Sequence, residues 1–180
     1  MPFRIWVLFA AWLVLAAVFS VRARLRLKVQ RRSRTSLFGM AIQAVAFTIA
    51  WIPHGAAVTE AAPPSGGWAL WLGTTVLGVS VWLMSASVRA LGRQWSLAAE
   101  IQTHHVLITT GPYAHVRHPI YLGTLGMVIG TGLIVTTPIR MALAVLIYLA
   151  GTRIRVVEEE RLLRDAFGAE YEDYAGRVRF

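Results

Sequence analysis

Five apolar segments divide this 180-residue chain, and their lengths constrain its fold more than any other feature of the sequence. A helix that crosses a bilayer needs about 20 apolar residues. The first, third and fourth segments reach that length, whereas the second needs an extension to Val58 and the fifth needs its charged continuation. The segments cover residues 3–21, 37–52, 68–88, 120–137 and 141–152. The sequence therefore predicts an all-α, polytopic integral membrane helical bundle with about five spans.

Composition supports a membrane protein and excludes some kinds of site. Hydrophobic residues make up 56% of the chain and the mean hydropathy is +0.56, which is too apolar for a soluble globular domain. Cysteine is absent, so disulfides and thiolate metal sites are excluded. In the fourth segment, Gly126 and Gly130 are spaced for close helix packing, which we favour over a glycine-rich nucleotide loop.

A strongly basic loop follows the first segment. Its seven cations lie within residues 22–34 and are Arg22, Arg24, Arg26, Lys28, Arg31, Arg32 and Arg34. A basic run after a long apolar segment is typical of a stop-transfer signal, so we expect a retained anchor rather than a cleaved signal peptide. No aromatic residues are interleaved with the cations. A loop beside anionic lipid is therefore favoured over nucleic-acid binding, and the expected partner is the bilayer.

The basic residues also predict how the chain crosses the membrane. If the basic loop is cytoplasmic, alternating spans place 16 of the 18 Lys and Arg residues inside, with only Arg4 and Arg140 outside. The N-terminus is then outside and the C-terminus inside. The segment 54–67, rich in proline and glycine, becomes an outer loop, and the polar segment 89–118 lies at the cytoplasmic surface.

The chain is predicted to divide into two parts. Residues 1–88 form the N-terminal spans and the basic loop, and residues 89–180 form a catalytic region of cytoplasmic segment, helical hairpin and C-terminal helix. Pro119 opens the hairpin, because a missing N–H costs nothing at a helix start. The last helix has no internal proline up to about Phe167, so it extends into the cytoplasm, with Gly168 as its C-cap.

The hairpin brings ionisable and aromatic side chains to one level at the membrane surface. Arg155 and Glu159 lie four residues apart and share a helix face. The short turn between the two helices returns them to the level of His118 and Tyr121. An isolated pair at this spacing is usually a simple salt bridge. Ionisable groups at a membrane, however, indicate a functional site by default, and several independent signals meet here.

A metal centre is one alternative for this cluster. Its ligands would be His104, His105, His115 and His118, with Glu100. Neighbouring histidines on a loop are weak support, and no carboxylate stands at a metal-motif spacing. We therefore expect no metal.

Two motifs resemble those of a known family. The first is Gly111-Pro-Tyr113 followed by Arg117-His-Pro-x-Tyr121-x-Gly123, with His105-x-Leu107 ahead of it. The second is Glu159-Glu160-xx-Leu163 followed by Phe167-Gly168-x-Glu170-Tyr171-xx-Tyr174. From about Arg93 to Val178 the chain resembles the isoprenylcysteine carboxyl methyltransferase family and, more loosely, the phospholipid N-methyltransferases.

The resemblance implies an integral-membrane enzyme that uses S-adenosylmethionine without a soluble Rossmann domain. The methyl acceptor would be a carboxylate or other nucleophile of a lipid-like or prenylated molecule, with the active site on the cytoplasmic side. The cofactor contacts implied by matching position are His105, Val106, Leu107, Ile108, Tyr113, His118, Pro119, Ile120, Tyr121 and Glu159. Arg155 would be the catalytic residue that binds the acceptor, and Glu160 is the reserve if the alignment is shifted by one.

These residue types suit such ligands. A carboxylate pairs with the cationic amino-acid end of the cofactor, tyrosine faces attract cations, and arginine forks onto a carboxylate or phosphate. The chain departs from the family before His105, where a polar cofactor contact falls on Ala98. Glu100 and Gln102 are the candidate replacements.

Two other functions stay open. Membrane sterol-type reductases that use NADPH share the Arg-His-Pro-x-Tyr element, but they usually carry a glutamate where this chain has Thr124. A non-enzymatic membrane subunit or small carrier would explain the spans and the basic loop. It would not explain why His118, Tyr121, Arg155 and Glu159 gather on one side.

Overall fold

The computed structural model describes residues 3–23, 29–52, 67–102 and 105–178, which form six α-helices and one two-stranded ribbon. The helices are α1 (Phe3–Ala23), α2 (Arg34–Ala50), α3 (Gly67–Leu91), α4 (Pro119–Val135), α5 (Pro138–Phe167) and α6 (Ala169–Arg177). The strands are β1 (Val29–Arg32) and β2 (Glu100–Gln102), and short 3-10 turns lie at Gly92–Gln94 and Gly111–Ala114.

The predicted all-α architecture is confirmed in these residues, while the number of spans stays a prediction. Two helical stretches, Phe3–Val21 and Gly67–Gln94, are long and apolar enough to cross a membrane. Helices α2 and α4 are apolar over 17 residues each, a rise of about 25 Å against a hydrocarbon core of about 30 Å. The extension of the second segment to Val58 lies outside the described residues, as do most of the predicted outer loop and His104.

The helix predicted to end the chain's apolar part is one continuous element that continues past that part, and its extension into the cytoplasm stays a prediction. Helix α5 has 30 residues, with Thr137 as N-cap accepting a hydrogen bond from the Arg140 N–H. It ends at Gly168, whose φ of +51° is costly for any residue with a side chain. The chain then turns into α6, which buries Tyr171 and Tyr174 on one face.

The helices pack as two intimate pairs, α3 with α4 and α2 with α5, and α4 joins the pairs by contacting α5. Close packing at the glycines of α4 is confirmed. A Cβ atom added at Gly130 would lie 2.8 Å from the Leu77 Cγ, which is closer than real Cβ atoms approach other atoms.

Two facing glycines allow α2 and α5 to approach each other closely. A Cβ added at Gly151 would lie 2.7 Å from the carbonyl oxygen of Gly39, and one added at Gly39 would lie 2.7 Å from the Arg155 Cγ. Small residues allow membrane helices to approach closely enough for polar side chains to bond across the interface. This crossing brings Gln43 of α2 within reach of Thr152 and Arg155 of α5.

The ribbon is a feature that the all-α prediction did not include. Strands β1 and β2 are antiparallel, with Arg31 opposite Ile101 and Arg32 opposite Glu100. The end of the basic loop is thereby fixed to the polar segment instead of lying apart from it. Ser33 continues the connection, because its N–H donates to the Ala99 carbonyl at 3.0 Å and its side chain caps α2.

Candidate active site

A cleft opens where the polar segment, the start of α4, the extension of α5 and helix α6 meet. The space between its walls is about 940 Å³, a figure that includes open solvent at its mouth. Ten of the eleven residues predicted for the site line this cleft, namely His105, Val106, Leu107, Ile108, Tyr113, His118, Ile120, Tyr121, Arg155 and Glu159. Pro119, the eleventh, is fully buried at the first turn of α4.

Tyr121 connects the two helices of the hairpin at the floor of the cleft. Its hydroxyl donates to the Glu159 Oε2 at 2.7 Å. The ring stacks on His118 with a centroid distance of 5.7 Å, and the guanidinium carbon of Arg155 lies 4.9 Å from its centroid. The Tyr148 hydroxyl fixes the same residue from behind by donating to the Tyr121 carbonyl at 2.8 Å. The predicted convergence of these groups is confirmed.

Arg155 does not form the simple salt bridge with Glu159 that their spacing allows. It donates from Nη1 to the Gln43 Oε1 at 2.7 Å and from Nη2 to the Leu97 carbonyl oxygen. Its Nε is buried and has no hydrogen-bond partner in the described part of the chain. The partners of this cation are thus a carboxamide, a peptide carbonyl and an aromatic ring, all of them neutral. Its guanidinium therefore lines the cleft without a carboxylate partner among the described residues.

The three successive glutamates have three different surroundings. Glu158 accepts hydrogen bonds from the Ser33 hydroxyl at 2.7 Å and from Arg161 at 2.9 Å. Glu160 lies 3.0 Å from Arg117, 3.2 Å from the His118 Nε2 and 3.2 Å from Arg164. Of the three, only Glu159 lines the cleft, and its side chain is 36% exposed.

Burial and charge shift the protonation of groups around the cleft. The hydrogen bond from His118, together with the cations of Arg117 and Arg164, lowers the pKa of Glu160 to about 2 against the opposing effect of burial. Burial lowers the pKa of His105, although the charges of Glu159 and Glu100 oppose that shift. The His105 imidazole is therefore neutral at neutral pH and packs 5.9 Å from the ring of Phe167.

The cleft wall also includes the position of the family's polar contact, one of its two candidate replacements, and several residues that sequence reasoning missed. Ala98, where the family pattern expects a polar contact, lies on the wall together with the candidate replacement Glu100, which is 7% exposed. Gln94 also lines the cleft, and its side-chain oxygen accepts a hydrogen bond from the Val106 N–H on the facing part of the polar segment. The other unpredicted wall residues are Leu91, Ser96, Ala99, Ile101, Arg117, Leu162, Leu163, Tyr171 and Tyr174.

Helix α6 is attached to the cleft wall by a hydrogen bond between tyrosines. The Tyr174 hydroxyl donates to the Tyr113 carbonyl at 2.8 Å. Burial is the main cause that raises the pKa of Tyr113 well above its ordinary value, so its phenol stays protonated. The spacing of Tyr171 and Tyr174 could have predicted this wall from the sequence, because residues three apart share one helical face.

Comparison with known proteins agrees with this geometry. Residues 68–170 match the family model described as phospholipid methyltransferase. The chain belongs to the phospholipid methyltransferase family. The matched region begins in α3, whereas the resemblance read from the motifs begins at about Arg93.

Curated relatives confirm the resemblance to isoprenylcysteine methyltransferases. The chain is 31% identical over 111 residues to the protein-S-isoprenylcysteine O-methyltransferase of Saccharomyces cerevisiae, covering 58% of this chain and 46% of that protein. It is 32% identical to protein-S-isoprenylcysteine O-methyltransferase B of Arabidopsis thaliana, covering 62% and 57%, and 35% identical to the Mus musculus enzyme, covering 60% and 40%. The matches thus span about half the length of these relatives.

The surroundings of Glu160 predict a structural role for it with a defined pH dependence. Its pKa in the folded protein, about 2, lies below the ordinary value of 4.5, so its charge stabilises the fold fully above pH 4.5. That contribution is lost as the pH falls through 2. We expect Glu160→Gln to lower stability by about 1–3 kcal/mol at neutral pH, and the deficit to shrink below pH 4.5.

Thermal unfolding of the detergent-purified protein at pH 7, 5 and 3 measures this difference. The matched control is Glu170→Gln, which removes an exposed carboxylate of α6 and should leave the unfolding temperature nearly unchanged. A deficit for Glu160→Gln that is equally large at pH 7 and pH 3 contradicts the assignment.

Proposed function

We propose that this protein is an integral-membrane methyltransferase that takes its methyl group from S-adenosylmethionine and transfers it to a lipid-like or prenylated acceptor. The observation that carries the proposal is the Tyr121–Glu159 pair at the floor of a cleft whose walls hold the predicted cofactor residues. The family match supports it, because the region 68–170 contains every one of these residues. The names of the relatives support methyl transfer to prenylcysteine.

The chemistry of the cleft fits the proposed cofactor, which carries an ammonium, a sulfonium, a carboxylate and an adenine. Glu159 offers a partly exposed carboxylate for the ammonium, and the Tyr121 hydroxyl fixes its orientation. Aromatic faces suit a sulfonium, and Tyr113, Tyr121, Tyr171 and Tyr174 all line the cleft. Val106, Leu107 and Ile108, with Leu162 and Leu163, offer an apolar surface for a purine.

In this account, the protein contributes mainly binding and orientation. Bound S-adenosylmethionine would supply the electrophilic methyl group, and displacement in line needs the two reactants held in register. His118 and Tyr148 hold Tyr121 from two sides, so the floor of the cleft is rigid. The apolar loop and the tyrosines of α6 restrict water at the walls. An acceptor that is already a carboxylate needs no general base.

Arg155 is proposed to bind the acceptor. Its Nη atoms are fixed by neutral groups and it forms no salt bridge with Glu159, which favours an anionic acceptor group over an ammonium. A bidentate guanidinium suits a carboxylate or phosphate. An acceptor with a hydrocarbon tail would keep the tail in the bilayer and present its anionic end at this level. A prenylated cysteine carboxylate has that form.

The cofactor assignment is tested with paired glutamine variants. Glu159→Gln should weaken binding of S-adenosylhomocysteine roughly ten- to hundredfold, because a charge-assisted hydrogen bond contributes about 1.5–3 kcal/mol. Glu158→Gln is the matched control, since Glu158 bonds Ser33 and Arg161 outside the cleft. Isothermal calorimetry on the detergent-purified proteins measures both. Equal affinities for the two variants reject Glu159 as the cofactor carboxylate, and a loss confined to Glu160→Gln transfers the role to Glu160.

We further propose five spans, with the N-terminus outside and the cleft on the cytoplasmic side. The asymmetry of 16 cations to 2 supports this orientation. So do the exposed tryptophans Trp6, Trp68 and Trp71, which gather near the starts of α1 and α3 and would form an aromatic belt at the outer interface. The division into membrane-anchoring residues 1–88 and catalytic residues 89–180 also stays a proposal.

Reporter fusions decide the orientation. Fusions at Thr35 and Phe180 are expected to report a cytoplasmic position, and a fusion at Pro64 an external one, since the basic loop and the charged C-terminal part favour the inside. A cytoplasmic result at Pro64 overturns the five-span model.

A further inference from the structure

Gln43 is an unusual residue for its place in the fold. It lies in the middle of the apolar helix α2, is only 4% exposed, and stands outside the residues that match the family. Polar side chains buried between membrane helices often serve only to hold the helices together. Gln43 differs, because one of its two partners is the arginine proposed to bind the acceptor.

The carboxamide of Gln43 is used at both ends. Its Nε2 donates to the Thr152 Oγ1 at 2.7 Å, and its Oε1 accepts from the Arg155 Nη1 at 2.7 Å. Arg155 fixes which end of the amide faces it, because a guanidinium only donates and therefore requires Oε1. The Thr152 hydroxyl, which can accept, then bonds Nε2. The close crossing of Gly39 and Gly151 sets the distance between the helices that allows both bonds.

We propose that Gln43 is a positioning residue that aims the Arg155 guanidinium at the anionic group of the acceptor without neutralising it. This inference rests on the proposed function of the cleft. Together with the Leu97 carbonyl and the Tyr121 ring, Gln43 restrains the cation on three sides. These three groups orient the guanidinium, and none of them carries a negative charge. The amide of Gln43 therefore does not compete with an anionic ligand for Arg155.

A glutamate at position 43 would have nearly the same shape but the opposite effect. Its carboxylate would pair with Arg155 and compete with the acceptor for the same guanidinium. A methionine would fill the space and remove the hydrogen bonds. The two substitutions therefore distinguish a role of Gln43 in orienting Arg155 and preserving its charge from a role in packing α2 against α5.

The test measures methyl transfer from labelled S-adenosylmethionine to S-farnesylated N-acetylcysteine by the full chain in detergent. We expect Gln43→Glu and Gln43→Met each to raise the KM for this probe roughly ten- to hundredfold, while the affinity for S-adenosylhomocysteine changes less than about twofold. Gln43→Glu should also keep its unfolding temperature, because its partner Arg155 stays paired. Thr48→Val is the matched control on α2, since Thr48 is exposed and its hydroxyl donates to the Ala44 carbonyl of its own helix.

Two outcomes of these measurements overturn the inference. A wild-type KM for Gln43→Glu overturns it, and so does a parallel loss of cofactor affinity and unfolding temperature in both variants, which identifies Gln43 as a packing residue. A wild type that binds S-adenosylhomocysteine but leaves the probe unlabelled refutes the proposed acceptor instead. A double-mutant cycle in unfolding temperature between Gln43→Met and Arg155→Met then decides, because additive losses overturn the coupling and a smaller combined loss supports it.

Discussion

The hydrogen bond from Tyr121 to Glu159 joins the first turn of α4 to the charged extension of α5, and the arrangement of the cleft depends on it. It can form because a short turn at Thr136–Thr137 folds the two helices into a hairpin and α5 continues beyond its apolar part. The same tyrosine separates Glu159 from Arg155, presenting its hydroxyl to the carboxylate and its ring face to the cation. Two opposite charges therefore contact different parts of one side chain, and in the proposed function each binds a different ligand.

The surrounding charges are organised so that this separation holds. Glu158 and Glu160, the neighbours of Glu159, form salt bridges with arginines of the surrounding structure. The pKa of Glu160 is low because protonation would lose the attraction of Arg117 and Arg164 and the hydrogen bond of His118. Arg155 has the opposite surroundings, since the partners that orient it are neutral. One helix thus carries, within two turns, charges paired inside the scaffold and charges proposed to bind ligands.

The sequence predicted the helical membrane fold, the hairpin and the residues that converge in the cleft, because each leaves a local or periodic signal. Apolar length indicates the helices, Pro119 and Gly168 mark helix ends, and the spacing of Arg155 and Glu159 fixes a common face. The β1–β2 ribbon left no such signal, since it pairs short polar stretches about 70 residues apart. The contribution of α2 was missed for a related reason. Gln43 was visible as a polar residue in an apolar segment, but its partners depend on the tertiary crossing at Gly39 and Gly151.

Direct binding to the purified wild-type protein tests whether the cleft holds S-adenosylmethionine. Calorimetry in detergent with S-adenosylhomocysteine and, separately, with NADPH compares the methyltransferase with the sterol-type reductase. We expect saturable binding of S-adenosylhomocysteine at one site per chain and none of NADPH. Binding of NADPH alone would contradict the proposed function in favour of the reductase, and binding of neither would favour a non-enzymatic membrane protein.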